Sequence, residues 1–180
     1  SSVKSIAYLM RYLKYTQKGN LNHICLPVFY DKNEYIGLDL NTIRNLELIE
    51  TIRTKSRKGS LLWTIDKTTT AMGKRLLRNW IERPLLDTNK ILLRQGAVSE
   101  FFEDSVYREE FKKELKKIHD IQRLMTKISY ASANARELKG FEEAIKSLPN
   151  VKKLLEQANS TMLKNMYSNF DTLEDIHNMI

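Results

Sequence analysis

Cysteine is nearly missing from this sequence. Cys25 is the only one in 180 residues, which excludes an internal disulfide framework, and its neighbours Ile24 and Leu26 suggest a buried thiol in a reducing compartment. Metal ligands are equally sparse: His23, His119 and His177 stand far apart in sequence, whereas a zinc site needs three or four ligands. No apolar run approaches the roughly 18 residues of a membrane span, and the first thirty residues lack the charged start, apolar middle and small-residue exit of a secretory leader. The expectation is a soluble cytoplasmic protein with no membrane partner.

Catalytic patterns are missing too. A P-loop needs two glycines five apart, then Lys and a hydroxyl residue, so that backbone amides wrap phosphate and the hydroxyl holds a metal. Around Gly73-Lys74, Thr68 stands in place of the first glycine and Arg75 in place of the hydroxyl. Glu109-Glu110 and Glu142-Glu143 are adjacent carboxylates, but neighbours on a helix point about 100° apart, and both pairs lie among lysines. They read as solvated faces, with Glu109 to Lys113 as an i,i+4 pair. The chain is therefore expected to be non-enzymatic, with no catalytic, cofactor-binding or metal-ligating residue of its own.

What is present is positive charge in one place. The net charge is +8, and the segment from Arg53 to Arg94 holds eleven cations against Asp66, Glu82 and Asp87, while the remainder is balanced at nineteen of each sign. A basic block points to a polyanion or to an acidic protein surface, with a solvated helix face as the plain alternative.

Six glycines and three prolines leave few helix breakers, and most of the chain repeats at helical period. The spacing of Val3, Ile6, Leu9, Met10 and Leu13 predicts a helix over about 2–17, ended by Gly19-Asn20. Residues 26–30 and 35–38 are β-prone runs around the polar loop Asp31-Lys32-Asn33-Glu34, which predicts one small β-hairpin near residues 26–38. Helix resumes at Asn41 with Ile43, Leu46 and Ile49 and runs out in the basic loop 54–59. Ser60 and Thr70 are expected N-caps, the second for a helix from Ala71 to Glu82 that Pro84 closes. Thr88 starts the next, with Ile91, Leu92, Val98, Phe101 and Phe102 expected on one side. Trp63, Met72, Leu76 and Trp80 are expected in the core. From Phe111 through Leu115, Ile118, Ile121, Met125 and Ile128, and onward to Ile180, a narrow apolar stripe predicts long helices. The fold class is mainly α, a helical bundle.

The strings Gly37-Leu38-Asp39-Leu40-Asn41-Thr42-Ile43-Arg44-Asn45-Leu46-Glu47-Leu48 and Gly59 to Asp87, above all Thr70-Ala71-Met72-Gly73-Lys74-Arg75-Leu76-Leu77-Arg78, resemble the core domain of the MutS family of DNA mismatch-repair proteins. Lys117 to Leu124 and Ser129 to Ala133 resemble the helices that follow. The resemblance covers nearly the whole chain. It implies that 1–18 are the end of a connector-domain helix or linker, and that 19–180 are the first segment of the core, ending in the lever arm, without clamp or ATPase domain. On this view Leu173, Ile176 and Ile180 have lost a returning partner helix.

The resemblance also implies a role: a module that couples mismatched-DNA binding to ATP hydrolysis in a longer protein. ATP and Mg²⁺, mismatched duplex DNA, a homodimeric partner and a MutL-type partner would belong to that protein. The mismatch-reading Phe-x-Glu triplet is expected outside this chain. Candidate contacts to neighbouring domains or to phosphate are Arg44, Asn45, Glu47, Lys74, Arg75, Arg78 and Arg83, with Arg44, Asn45 and Glu47 tying the hairpin to the bundle. The alternatives are a free-standing basic helical module that binds nucleic acid by itself, and the core of a MutS paralogue acting in recombination.

Overall fold

A computed structural model describes residues 2–16 and 34–177, and the chain divides into two units, 1–32 and 33–180. The first unit contributes helix α1, Ser2–Thr16, within one residue of its expected end. In the second, α2 (Leu40–Asn45), α3 (Leu61–Ile65), α4 (Ala71–Glu82) and α5 (Thr88–Glu103) carry the basic segment. They are followed by α6 (Ser105–Leu115), α7 (Ile121–Ser129), α8 (Ala135–Lys146), α9 (Leu148–Glu156), α10 (Thr161–Ser168) and α11 (Glu174–His177). Among the described residues no helix is long and apolar enough to cross a membrane.

The caps explain why the helices start where they do. Asp39, Ser60, Thr70, Asp87, Asp104, Asp120 and Asn134 each turn a side-chain oxygen onto a backbone N–H of the first helical turn, satisfying a donor that the helix itself cannot. At α8 the cap is reciprocal, with Glu137 reaching back to the Asn134 N–H. Ser60 and Thr70 cap α3 and α4 as expected.

Two apolar cores hold the second unit. One gathers Ala97 of α5, Tyr107 and Phe111 of α6, Val151 and Leu155 of α9 and Leu163 of α10. Inside it Phe101 stacks on Tyr107 at 5.3 Å between ring centroids and meets Phe111 edge-on at 5.2 Å, geometries that aromatic quadrupoles favour. The other is Phe141 and Ile145 of α8 with Leu148 of α9, covered by Ile121, Leu124 and Ile128 of α7 and by Leu173 and Ile176. Ile118 and Phe170 pack against both.

The expected hairpin is not seen among the described residues, which hold no strand. Its first run, through Asp31-Lys32-Asn33, lies outside the described residues. Its second run is not a strand: Tyr35 makes a single antiparallel bridge to Leu85, with the Ile36 N–H on the Pro84 carbonyl at 2.8 Å and the Leu86 N–H on the Glu34 carbonyl at 3.1 Å. Its backbone partners thus lie some fifty residues away, beyond α4.

The expected long helices are broken as well. From 105 to 177 the longest helix has 12 residues, because Asp120, Asn134 and Ser147-Leu148-Pro149 each start a new one. An apolar stripe that continues in sequence thus wraps round a core in short pieces. The helix expected through Ile49 stops at Asn45: Glu47 adopts a left-handed φ of 48°, and its carbonyl and that of Leu48 receive the Leu61 and Leu62 N–H groups. Long-range pairing replaces local helix here. Ser129 to Ala133 form the end of α7 and a turn.

Burial corrects two further expectations. Leu92, Val98 and Phe102 remain exposed, and of the expected apolar side of α5 only Ile91 and Phe101 are partly covered. Trp63 and Leu76 are exposed, Met72 and Trp80 half-buried, and α4 buries no residue at all. These side chains lie at helical spacing, but the described elements do not cover them. Leu173 and Ile176, by contrast, pack onto the Phe141 core instead of lacking a partner; Ile180 lies outside the described residues. Glu109 pairs with Lys112, three residues on, instead of Lys113.

A candidate interaction site in the basic segment

Along α4, Lys74, Arg75 and Arg78 fall on one side, and Met72, Leu76 and Trp80 on another, as the 3.6-residue period requires. The cationic side faces the loop between α2 and α3, and a groove of about 500 Å³ runs between them. Lys55, Arg57, Lys74, Arg75 and Arg78 line it, with Glu50 as its acid and Ile49, Leu62 and Ala71 as its apolar lining.

The loop is shaped for this. Lys55 takes a left-handed φ of 49°, the Thr51 N–H donates to the Ser56 carbonyl at 2.9 Å, and the Thr51 and Thr54 hydroxyls meet at 2.7 Å. Gly59, at φ 99°, closes the loop with its Cβ position only 3.1 Å from Thr51 Cγ2. A larger residue would be strained there on both counts.

Each groove cation but Lys55 is held by a carboxylate set deeper than itself. Arg57 and Lys74 share Asp66, whose side chain is 5% exposed against 44% and 52% for theirs. The Thr68 hydroxyl on Asp66, at 2.6 Å, is the strongest influence holding that carboxyl below the usual carboxylate range; burial opposes it, and Arg57 and Lys74 add to it. Arg75 grips Asp120 with two parallel bonds of 2.8 and 2.7 Å and reaches Gln122 Oε1 at 3.0 Å, the fork geometry that makes such pairs strong. This pair lowers the Asp120 pKa and raises that of Arg75. Asp120 also caps α7 through the Arg123 N–H at 3.2 Å, so one carboxylate ties α4 to the start of α7. Arg78 bonds Glu82 at 2.9 Å within α4. On the far side Arg94 lies 3.8 Å from the Trp80 ring centroid and Lys90 is 2.5 Å from Glu34.

Of the residues expected to make contacts, Lys74, Arg75 and Arg78 come together in the groove. Arg83 is the C-cap at the other end of α4, with its N–H on Asn79 O at 2.9 Å. Arg44 and Asn45 are exposed at the end of α2, and Glu47 turns onto its own loop, accepting the Ile52 N–H at 2.7 Å. Lys55, Arg57, Asp66 and Asp120 were not singled out. The first three stand in the basic block and so were within reach; Asp120, 45 residues from its partner, left no local signal.

Gly73-Lys74 does not form a phosphate-binding loop: both lie inside α4, the Gly73 N–H is engaged by the Thr70 hydroxyl at 3.0 Å, and Lys74 faces Asp66, so no amide cradle is open to phosphate at this point. Among the described residues no three His, Cys, Asp or Glu side chains gather as a metal site would require. The expectation that the chain has no Phe-x-Glu triplet fails on the sequence itself, since Phe101-Phe102-Glu103 and Phe141-Glu142-Glu143 both fit it. Neither leads with a ring free to stack on a base: Phe101 is packed among Tyr107 and Phe111, and Phe141 is 2% exposed.

Comparison with known proteins agrees with the resemblance. Residues 41–180 match MutS domain III. The DNA mismatch repair protein MutS of Clostridium kluyveri is 45% identical over 99% of this chain, and that of Alkaliphilus oremlandii 47% identical over 99%. The counterpart from Clostridium novyi is 46% identical over 96%. The chain spans about a fifth of the length of these relatives. With 140 of its residues matched to one domain of that family, the chain belongs to the MutS family of DNA mismatch-repair proteins and carries a portion of its domain III.

Proposed function

We propose that this chain is the core and lever module of a mismatch-repair protein of MutS type, without enzymatic activity of its own, linking a domain that grips mismatched DNA to a domain that hydrolyses ATP. On this reading residues 1–18 are the end of the connector-domain helix or a linker, and 19–180 are the first segment of the core. ATP with Mg²⁺, the homodimeric partner, a MutL-type partner and a cytoplasmic location are assigned to the longer protein on the same ground. The observation that carries the reading is the Arg75–Asp120 clamp, which joins the groove helix to the capped start of α7. Coupling between distant sites needs packed elements that move as units, and this clamp fastens two of them.

The test is a charge exchange in the longer protein. Arg75→Asp and Asp120→Arg are each expected to keep mismatched-duplex affinity within about twofold and to reduce the response of ATP hydrolysis to mismatched DNA at least fivefold, and the double exchange to restore it. An unchanged response in both single variants would overturn the reading. So would steeply salt-dependent duplex binding by the 180-residue chain alone, which is what a free-standing nucleic-acid module would show.

A further inference from the structure

We infer that Asn159 is a site of spontaneous deamidation and that Glu100 holds it shut. The chemistry needs only water. The backbone nitrogen of the following residue attacks the asparagine Cγ: a Cγ–N bond forms, the Cγ–Nδ2 bond breaks, and ammonia leaves with the proton that the backbone nitrogen gave up. Water then opens the cyclic imide at either carbonyl, leaving aspartate or isoaspartate with no change of oxidation state.

The sequence selects the position. A small following residue leaves the attacking nitrogen least hindered. None of the asparagines precedes Gly, and Asn159 is the only one that precedes Ser. Asn134 precedes Ala135, but its side-chain oxygen is taken by the Glu137 N–H at 2.9 Å as the cap of α8. Asn159 is exposed between α9 and α10 and lines a groove of about 1110 Å³ with Glu103, Asp104 and Gln157, so water reaches it.

The fold blocks the first step. The attacking nitrogen would be that of Ser160, whose N–H donates to Glu100 Oε2 at 2.7 Å, while the Asn159 N–H donates to Oε1 of the same carboxylate at 2.6 Å. Both peptide groups are thus fixed from another helix, α5. Cyclisation has to break a charge-assisted bond and build negative charge on a nitrogen beside a carboxylate. Burial pushes the Glu100 carboxyl up, but these hydrogen bonds outweigh it and hold the group below its ordinary value, which makes it a poor base for the Ser160 proton. Isoaspartate would add a carbon to the backbone between Ala158 and Leu163, which are buried in one core. With those two side chains in place, the Ser160 N–H is displaced from Glu100, and α10 loses its fastening to α5.

Mass spectrometry of the peptide holding Asn159, after incubation of the full-length protein in mildly alkaline buffer, reads the rate independently of the coupling role proposed above. The native rate is expected to lie about tenfold or more below the rate in concentrated urea, the factor that one charged hydrogen bond carries. Glu100→Gln is expected to raise the native rate about tenfold and to leave the urea rate unchanged. Ile145→Val thins the other core and controls for general loosening; it is expected to leave the native rate within about twofold. Equal native and urea rates, a native rate unmoved by Glu100→Gln, or a rise with Ile145→Val as large as with Glu100→Gln would each overturn the inference. So would a native rate lowered by Glu100→Gln, the mark of a carboxylate that acts as the base. Deamidated protein, separated by its added charge, is expected to exchange the amides of α10 faster than intact protein; equal exchange would overturn the loss of the fastening.

Discussion

Glu100 does a job that a helix usually leaves to its own cap. Ser160, the N-cap of α10, makes no side-chain capping bond, and the Glu100 carboxylate of α5 instead accepts the Asn159 and Ser160 N–H groups at 2.6 and 2.7 Å. Burial alone would raise its pKa; the hydrogen bonds outweigh it and hold the carboxyl below its ordinary value. A carboxyl whose pKa is lower folded than unfolded adds stability that is complete above the unfolded value of about 4.3 and disappears as pH falls through the folded one. Glu100→Gln is therefore expected to cost about 1–2 kcal/mol at pH 7, by loss of a charged acceptor, and nothing once the pH lies below the folded-state pKa; urea unfolding at the two pH values checks it. Contacts of this kind left little trace in the sequence. Ser60 and Thr70 could be read as caps because a cap acts within three residues, whereas Glu100 meets its donors some sixty residues away.

At the level of elements, starts were easier to read than ends or surroundings. Polar caps and a Pro located α3, α4 and α5, but the ends of α2 and α7 depend on left-handed residues that carry no glycine signal. Ala131 is one: at φ 51° it follows α7, and the N–H groups of Ala131 and Ser132 return to the carbonyls of Ile128 and Lys127. This is the Schellman closure, in which glycine is preferred because an L side chain is strained there. Ala131→Gly is expected to stabilise the chain by about 0.5–1 kcal/mol, the strain relieved exceeding the entropy glycine loses on folding, and a raised urea midpoint with an unchanged slope would show it. The apolar side of α4 could likewise be read from its period, but its degree of burial could not, since periodicity identifies a face without identifying what covers it.

Over the whole molecule, the same separation of pattern from partner recurs on α5. Val98 and Phe102 of α5 stand 64 and 80% exposed at four-residue spacing, and exposed apolar neighbours on one helix face are of the kind that marks contact surfaces. Phe102→Ser is expected to change unfolding free energy by no more than about 0.5 kcal/mol while reducing self-association of the 180-residue chain, read as a weaker concentration dependence in sedimentation. Mainly helical architecture and the basic block were both visible in the sequence; the division into two cores was not, because one unbroken stripe supplies both. The residues that join those cores have a consequence for how the chain comes apart. Ile118, before α7, and Phe170, after α10, each lie against the Phe111 cluster and the Phe141 cluster alike. Neither cluster can open without uncovering side chains that the other also uses, so the free energy of opening is shared, and the two small cores are expected to melt as one cooperative unit.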